Sequence, residues 1–237
     1  YLIYVIVSEI MYEKENIGYM ESIDNRDEFC SCRNCHVSRK EKDKIKRFYR
    51  KSIGIKSEIV LEELAENSHI YKLNAKTLLI QENEKVEQIS FLYKNGDIVK
   101  AYYKNQKGKK QTHCFAYLSG EPIVGILNLD RNMTSFLTVE TVTDCEIVST
   151  SSIVIHRLAQ ENIEITLICN RMQGVSAMRE MEYRRMILTC TPMQKYEYFL
   201  KTYPELIDKI SKKDIASYLN MTPECFSRML KKKNDVS

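Results

Sequence analysis

At Ser151 the spacing of apolar residues changes, and that change restricts the chain to a sheet-forming first part followed by a helical second part. Upstream, short β-rich runs recur at residues 77–80, 89–93, 98–103, 111–118, 123–129, 135–139 and 145–150. Turn-forming stretches separate them, among them Asn95-Gly96-Asp97, residues 105–108 and Ser119-Gly120. Short strands at such regular spacing predict a barrel or sandwich, and Asn-Gly is the strongest short-range hairpin signal. Downstream, Ile155, Leu158, Ile165, Cys169, Met172, Ser176, Tyr183 and Met186 follow in three- and four-residue steps. They predict one long helix with an apolar seam, interrupted by polar Asn162 and Arg179. A helix of roughly 35 residues reaches about 50 Å, longer than its own barrel needs. The seam is therefore expected to join two copies of the chain.

The 237 residues suit one or two domains, and 43% apolar against 29% charged residues supplies a core and excludes wholesale disorder. No apolar run approaches the roughly 18 residues that cross a bilayer. The opening stretch lacks the basic flank and the cleavage site of a signal peptide, so a cytoplasmic protein with no membrane partner is expected. In that reducing compartment the eight Cys read as core residues, metal ligands or redox sensors rather than disulfides. Residues 41–66 look helical, first basic and then amphipathic through Ile59, Leu61, Leu64 and Ala65. The basic part, from Arg39 to Lys51, reads as a solvated face with auxiliary DNA contact as its alternative. No nucleophile–base pair, glycine-rich phosphate loop or paired carboxylates stand in a recognisable context, so no catalytic residue is assigned and the chain is not expected to be an enzyme.

Residues 192–233 read as short helices, and within them the pattern sharpens. Ser211 can cap a helix with Asp214 at its third position, while Ile215, Ala216 and Leu219 face inward. Asn220 tolerates the left-handed backbone of a tight turn. Thr222 caps a second helix that opens on Pro223 and Glu224 and buries Phe226, Met229 and Leu230. Glu224, Ser227, Arg228 and Lys231 are left for its outer face. This is a helix-turn-helix, whose second helix enters a major groove. There Arg pairs bidentately with guanine and a carboxylate accepts from cytosine. The segment carries Lys209, Lys212, Lys213, Arg228, Lys231, Lys232 and Lys233 against Asp214 and Glu224, a larger excess than the +4 of the whole chain.

These residues resemble the Crp/Fnr superfamily of bacterial transcription regulators. The tail from Gln194-Lys195-Tyr196 through Tyr203-Pro204-Glu205-Leu206 to Glu224, Ser227 and Arg228 is similar to one branch of it. Thr77-Leu78-Leu79-Ile80, Phe91-Leu92-Tyr93-Lys94-Asn95-Gly96 and Leu118-Ser119-Gly120-Glu121-Pro122-Ile123-Val124-Gly125 resemble its cyclic-nucleotide-binding β-roll. The resemblance covers about residues 55–233 and implies an α+β chain. Its parts would be a tail with a Cys cluster (1–40), a β-roll sensor domain of jelly-roll type with a leading helix (41–150), a dimerisation helix (151–190) and a helix-turn-helix domain (191–237). It implies a homodimeric regulator that binds double-stranded DNA through Ser211, Thr222, Glu224, Ser227, Arg228 and Lys231, with RNA polymerase as a further candidate partner. Two recognition helices would then span half-sites about 34–36 Å apart. The alternative is a sensing module that signals through a protein partner. Little follows Lys233, so wing contacts are expected to be missing.

The implied effector pocket comprises Gly120, Glu121, Gly125, Ile126, Ser135 and Phe136. Members that bind cyclic AMP place a Glu on the ribose and an Arg-Ser pair on the phosphate. In register, those positions fall at Gly125 and at Ser135-Phe136, and an unpaired charge is costly to bury. Cyclic AMP is therefore not the expected ligand. The pocket is expected to hold another effector or to be closed, with Phe136 as an apolar filling. Cys30-Ser31-Cys32-Arg33-Asn34-Cys35-His36 packs three thiols and an imidazole into seven positions. Three thiolates with His36 suit zinc. Cys30, Cys32 and Cys35 with Cys145 resemble the ligand set of the family's iron–sulfur oxygen sensors, although the spacing departs from theirs. A thiol-redox role and a tail without a site are the other readings.

Overall fold

The computed structural model describes residues 38–106, 108–125 and 134–234, with side chains as far as Lys232. Helix α1 (Arg39–Phe48) starts where the Ser38 hydroxyl accepts from the Glu41 amide at 3.2 Å. It runs into a π-helical turn (Tyr49–Ile53) that Gly54 ends at φ +92°, a conformation that glycine adopts without a Cβ clash. Helix α2 (Glu58–Asn67) then begins at Ser57. The helical stretch expected over 41–66 is thus two helices. Val60, Leu61, Leu64 and Ala65 form the buried face of α2, while Ile59 points to solvent. Three basic residues of α1 and the π turn are matched to acids of α2: Lys42 with Glu66 at 3.3 Å, Lys46 with Glu62, and Arg50 with Glu58.

Two four-stranded antiparallel sheets follow. One has the order β1 (Ser68–Leu73), β8 (Cys145–Ser151), β3 (Gln88–Leu92), β6 (Pro122–Val124). The other has the order β2 (Leu78–Ile80), β7 (Thr138–Thr141), β4 (Val99–Lys104), β5 (Lys110–Ala116). Consecutive strands alternate between the sheets except for the β4–β5 hairpin, which lies within the second sheet; this is a double-sheet jelly roll, so the expected β-roll is present. The sequence runs fall on β2 to β8 with shifts of a few residues at their ends. Strand β1 was not among them. It leaves α2 with no Gly or Pro between, and its His69 and Lys72 blur the alternation.

The first sheet packs beneath α1 and α2. Phe48, Tyr49, Leu61 and Leu64 share one core with Ile89, Phe91 and Val148. The Tyr49 hydroxyl lies 2.6 Å from Thr150 Oγ1 and 3.3 Å from Ser68 Oγ, so the buried phenol is satisfied. Burial pushes its pKa up, against the pull of those two hydroxyls.

The long helix is divided. Helix α3 (Ser152–Glu161) ends at Asn162, whose backbone is extended (φ −135°, ψ 113°) and whose side chain accepts from the Glu164 amide to cap α4 (Ile163–Thr189). Asn162 is a junction between helices rather than a polar break within one. The seam is also used differently from the expectation. Ile155, Leu158, Ile165 and Cys169 are buried in the chain's own first core, and Met186 in a second core. That apolar line serves intrachain packing. Hydrogen bonds secure α4 along its length: Glu164 accepts from the Lys56 and Ser57 amides, Arg171 donates to the Ile53 carbonyl, and Arg179 donates to Glu121 at 3.0 Å.

Helices α5 (Pro192–Thr202), α6 (Lys212–Tyr218) and α7 (Pro223–Asn234) complete the chain. A capping box between Thr191 and Gln194, with Pro192 at the first position, opens α5. The second core joins these helices to the roll: Ile98, Phe115 and Tyr117 come from the second sheet and its approaches, and Phe199, Tyr203, Leu206, Ile215, Tyr218 and Phe226 from the helices. Tyr218 is 3% exposed and its ring centroid lies 5.0–6.0 Å from those of Tyr183, Tyr203, Phe199 and Phe115. Tyr218→Ala is expected to lower stability by about 3–5 kcal/mol, the usual cost of deleting a buried aromatic ring. Urea unfolding checks this, with the midpoint falling and the slope unchanged.

Candidate nucleic-acid interface

The segment read as a helix-turn-helix forms one. Ser211 Oγ accepts from the Asp214 amide at 3.0 Å and donates to the Asp214 carboxylate at 2.7 Å. Ile215, Ala216 and Leu219 are buried as expected, and Tyr218 joins them. The turn passes through Asn220 at φ +52°, with the Met221 amide donating to the Ala216 carbonyl at 2.8 Å. Thr222 Oγ1 accepts from the Cys225 amide at 3.2 Å and starts α7. Phe226 and Met229 are buried beneath that helix, and its other face carries Glu224, Ser227, Arg228 and Lys231, all exposed.

Of the six predicted DNA contacts, four therefore share one outward face. Ser211 and Thr222 sit at the helix starts with their hydroxyls engaged as caps. The Glu224 carboxyl is held below the usual carboxylate range, first by its own backbone N–H and then by the Thr222 hydroxyl, with Lys109 and Arg228 adding positive charge. Lys209, Lys212 and Lys213 are exposed around the start of α6. The whole surface can present an anionic Glu and several cations to a groove and its phosphates.

Sequence reasoning missed how this unit is attached. The Thr112 amide of β5 donates to Ser217 Oγ at 2.9 Å, and Gln111 Nε2 donates to the Ser217 carbonyl. Lys100 of β4 lies 3.3 Å from Asp214 and 3.4 Å from Glu140, with its own side chain 15% exposed. The Tyr183 hydroxyl of α4 donates to the Tyr218 carbonyl at 2.8 Å. Nothing in the local pattern of residues 100–112 distinguishes a strand that docks a helix from one that faces solvent.

In the expected effector pocket, five of six residues are described, and Ile126 lies outside the described residues. Gly120 (φ +86°) packs on the π turn: a Cβ there would stand 2.9 Å from the Ser52 carbonyl oxygen. Glu121 is committed to structure, accepting from the Tyr117 amide at 2.8 Å and the Leu118 amide at 3.0 Å as well as from Arg179. A Cβ at Gly125 (φ +88°) would stand 2.7 Å from Val86 Cγ1 and 3.0 Å from the Gln88 carbonyl oxygen. Ser135 Oγ donates to the Leu137 carbonyl at 2.7 Å. Phe136 is 50% exposed, so it is not the apolar filling expected of it. Its neighbours Ser135 and Leu137 are drawn into a local turn, which leaves the ring outside.

Cys30, Cys32 and Cys35 lie outside the described residues. Cys145 does not fit a metal ligand. It is 3% exposed, and its Sγ faces the carbonyls of Thr143 at 3.1 Å and Ile98 at 3.5 Å. Burial raises its pKa and disfavours the thiolate that would bind metal. Among the described residues no three His, Cys, Asp or Glu side chains cluster as a metal site, and no helix is long and apolar enough to cross a membrane.

No protein-family model and no curated protein sequence matches the chain. Solved structures do. FixK2 from Bradyrhizobium japonicum superposes with a TM-score of 0.62 at 17% identity, over 71% of this chain and 85% of that one. The global regulator CLP of Xanthomonas campestris gives 0.60 at 15%, over 76% and 92%. A Eubacterium rectale protein assigned to the Crp/Fnr family of transcriptional regulators gives 0.61 at 13%, over 75% and 83%. The chain shares its fold with these solved structures.

Thr222→Ala removes the cap of α7 and is expected to cost about 1 kcal/mol. Thermal unfolding monitored by circular dichroism checks this, and Thr222→Ser should restore most of the loss.

Proposed function

We propose that the chain is a homodimeric regulator that binds double-stranded DNA through α7. The observation that carries this reading is the outward face of Glu224, Ser227, Arg228 and Lys231 on a helix whose opposite face is locked into a core with α5 and α6. The side chains that could read bases are exposed, and the helix that holds them is anchored.

Dimerisation is assigned to the second face of α4. Leu167, Gly174, Met181 and Leu188 recur every seven residues, with Met178 between them. Leu167, Met178, Met181 and Leu188 are 60–72% exposed, and nothing lies within 4 Å of where a Gly174 Cβ would be. Such a stripe is the seam of a two-stranded coiled coil, with Gly174 allowing close approach. It lies two residues, about 200°, around the helix from the seam that packs inside the chain.

The packing at Gly125 supports an effector other than a cyclic nucleotide, because a ribose-binding carboxylate there would displace Val86. The fold itself fixes no ligand; CLP, for instance, is described as c-di-GMP responsive. A metal or cluster at Cys30, Cys32 and Cys35 would take its fourth ligand from a residue other than Cys145, and His36 is adjacent in sequence.

Duplexes selected from a random library by the full-length protein test the DNA reading. At the selected site Arg228→Ala is expected to cost about 1–3 kcal/mol and to relax sequence choice, while Lys231→Ala should weaken all sequences alike and lower the salt slope by about 1. Absence of duplex binding at low salt overturns the proposal. Separately, Leu167→Asp combined with Met178→Asp should halve the mass measured by sedimentation while helix content is kept. An unchanged mass would remove α4 from the dimer interface.

A further inference from the structure

The hairpin between β4 and β5 carries a charge pattern that the fold does not use. Residues 104–110, Lys-Asn-Gln-Lys-Gly-Lys-Lys, hold four lysines and no acid. Hydrogen bonds join its two arms on either side of Lys107: the Asn105 amide donates to the Lys109 carbonyl at 3.0 Å, and the Lys109 amide to Asn105 Oδ1 at 3.0 Å. Lys110 is occupied, 3.1 Å from Glu140 and 4.3 Å above the Tyr102 ring. Lys104 and Lys109 are exposed and form no salt bridge among the described residues.

This hairpin is joined to the helix-turn-helix. Besides the bonds from Thr112 and Gln111, Ser217 Oγ donates to the Lys110 carbonyl at 3.4 Å. Ser217 lies in the last turn of α6, immediately before the turn that leads into α7. The tip is thus pinned beside the N-terminal end of α7, which is the end that meets base edges in this motif. Lys109 is near enough to act electrostatically on Glu224 at that end.

From this we propose that the β4–β5 hairpin of the sensor domain is part of the DNA-binding surface, with Lys104 and Lys109 neutralising backbone phosphates that flank the groove entered by α7. The inference rests on the DNA reading above and extends it to residues outside the helical domain. Charge complementarity and continuity with α7 select a polyanionic backbone as the occupant. Such contacts position a protein without reading sequence.

A mixed-sequence duplex of about 30 base pairs is a sufficient probe, since phosphate contacts are sequence-independent. Binding of full-length protein is followed by fluorescence anisotropy between about 50 and 200 mM KCl. Lys104→Gln combined with Lys109→Gln is expected to weaken binding about tenfold and to lower the magnitude of the salt slope by about 1.8, the loss of two phosphate contacts. The pair Lys56→Gln and Lys72→Gln, at the entry to α2 and on β1, removes the same charge elsewhere and should leave the slope within about 0.5 of the starting value. If wild-type protein binds and both double variants lower the slope equally, or neither does, the hairpin is not a contact and the DNA reading stands. If wild-type protein fails to bind at the lowest salt, the DNA reading falls and the hairpin inference falls with it.

Discussion

The arrangement depends on one aromatic contact, between β5 of the roll and the helices that follow α4. Phe115 and Tyr117 project from the sheet into Phe199, Tyr203 and Tyr218. Each buried ring contributes about 1.5–3 kcal/mol by leaving water. The phenols add orientation: the Tyr203 hydroxyl accepts from the Phe115 amide and the Tyr117 hydroxyl donates to the Thr202 carbonyl, both at 3.5 Å. A core built only of aliphatic side chains would allow the helices to slide on the sheet. Rings that must also place a hydroxyl allow far less. Helix α7 therefore inherits its position from the sheet, through Tyr218, Ser217 and the turn at Asn220.

Helix α4 can be understood from the same contact. Its inner line begins in the core beneath α1 and α2 and ends at Met186 in the aromatic core. A helix of 27 residues is about 40 Å long, so one rigid element touches both cores. The outer line is exposed and has no partner among the described residues, and a stripe of exposed Leu and Met on a rigid helix is costly to leave in water. Packing on one side and exposure on the other give α4 almost no net amphipathicity, which hides its two roles from a search for a single apolar face.

This explains what was legible in the sequence. The order of roll, long helix and helix-turn-helix was readable, because periodicity and caps are local properties. Ser211, Asn220 and Thr222 each do what their chemistry indicated. The seam through Ile165, Cys169 and Met186 was readable as apolar, but not as intrachain, because periodicity says which residues are buried and not by what. Strand β1 was lost because α2 enters it without a turn residue. Phe136 illustrates the limit from the other side: an aromatic at a pocket position reads as a filling until the Ser135 turn is seen to direct it outward.

The hairpin shows how one segment can serve packing and electrostatics together. Along β5 the backbone of Thr112 and the side chain of Gln111 face Ser217, while the lysines gather at the end where the strand leaves the sheet. A cation is cheap there, since a hairpin tip is surrounded by water and no desolvation opposes it. Lys100, one residue from the start of β4, is in the opposite situation. It is mostly buried and is matched by Glu140 and Asp214. The same sheet thus spends its inner lysine on holding α6 in place and leaves its outer ones unmatched. An unmatched cation gains little by staying in water and considerably more beside a phosphate whose condensed counterions it releases. On the proposed reading, that difference gives Lys104 and Lys109 a part in binding rather than in folding.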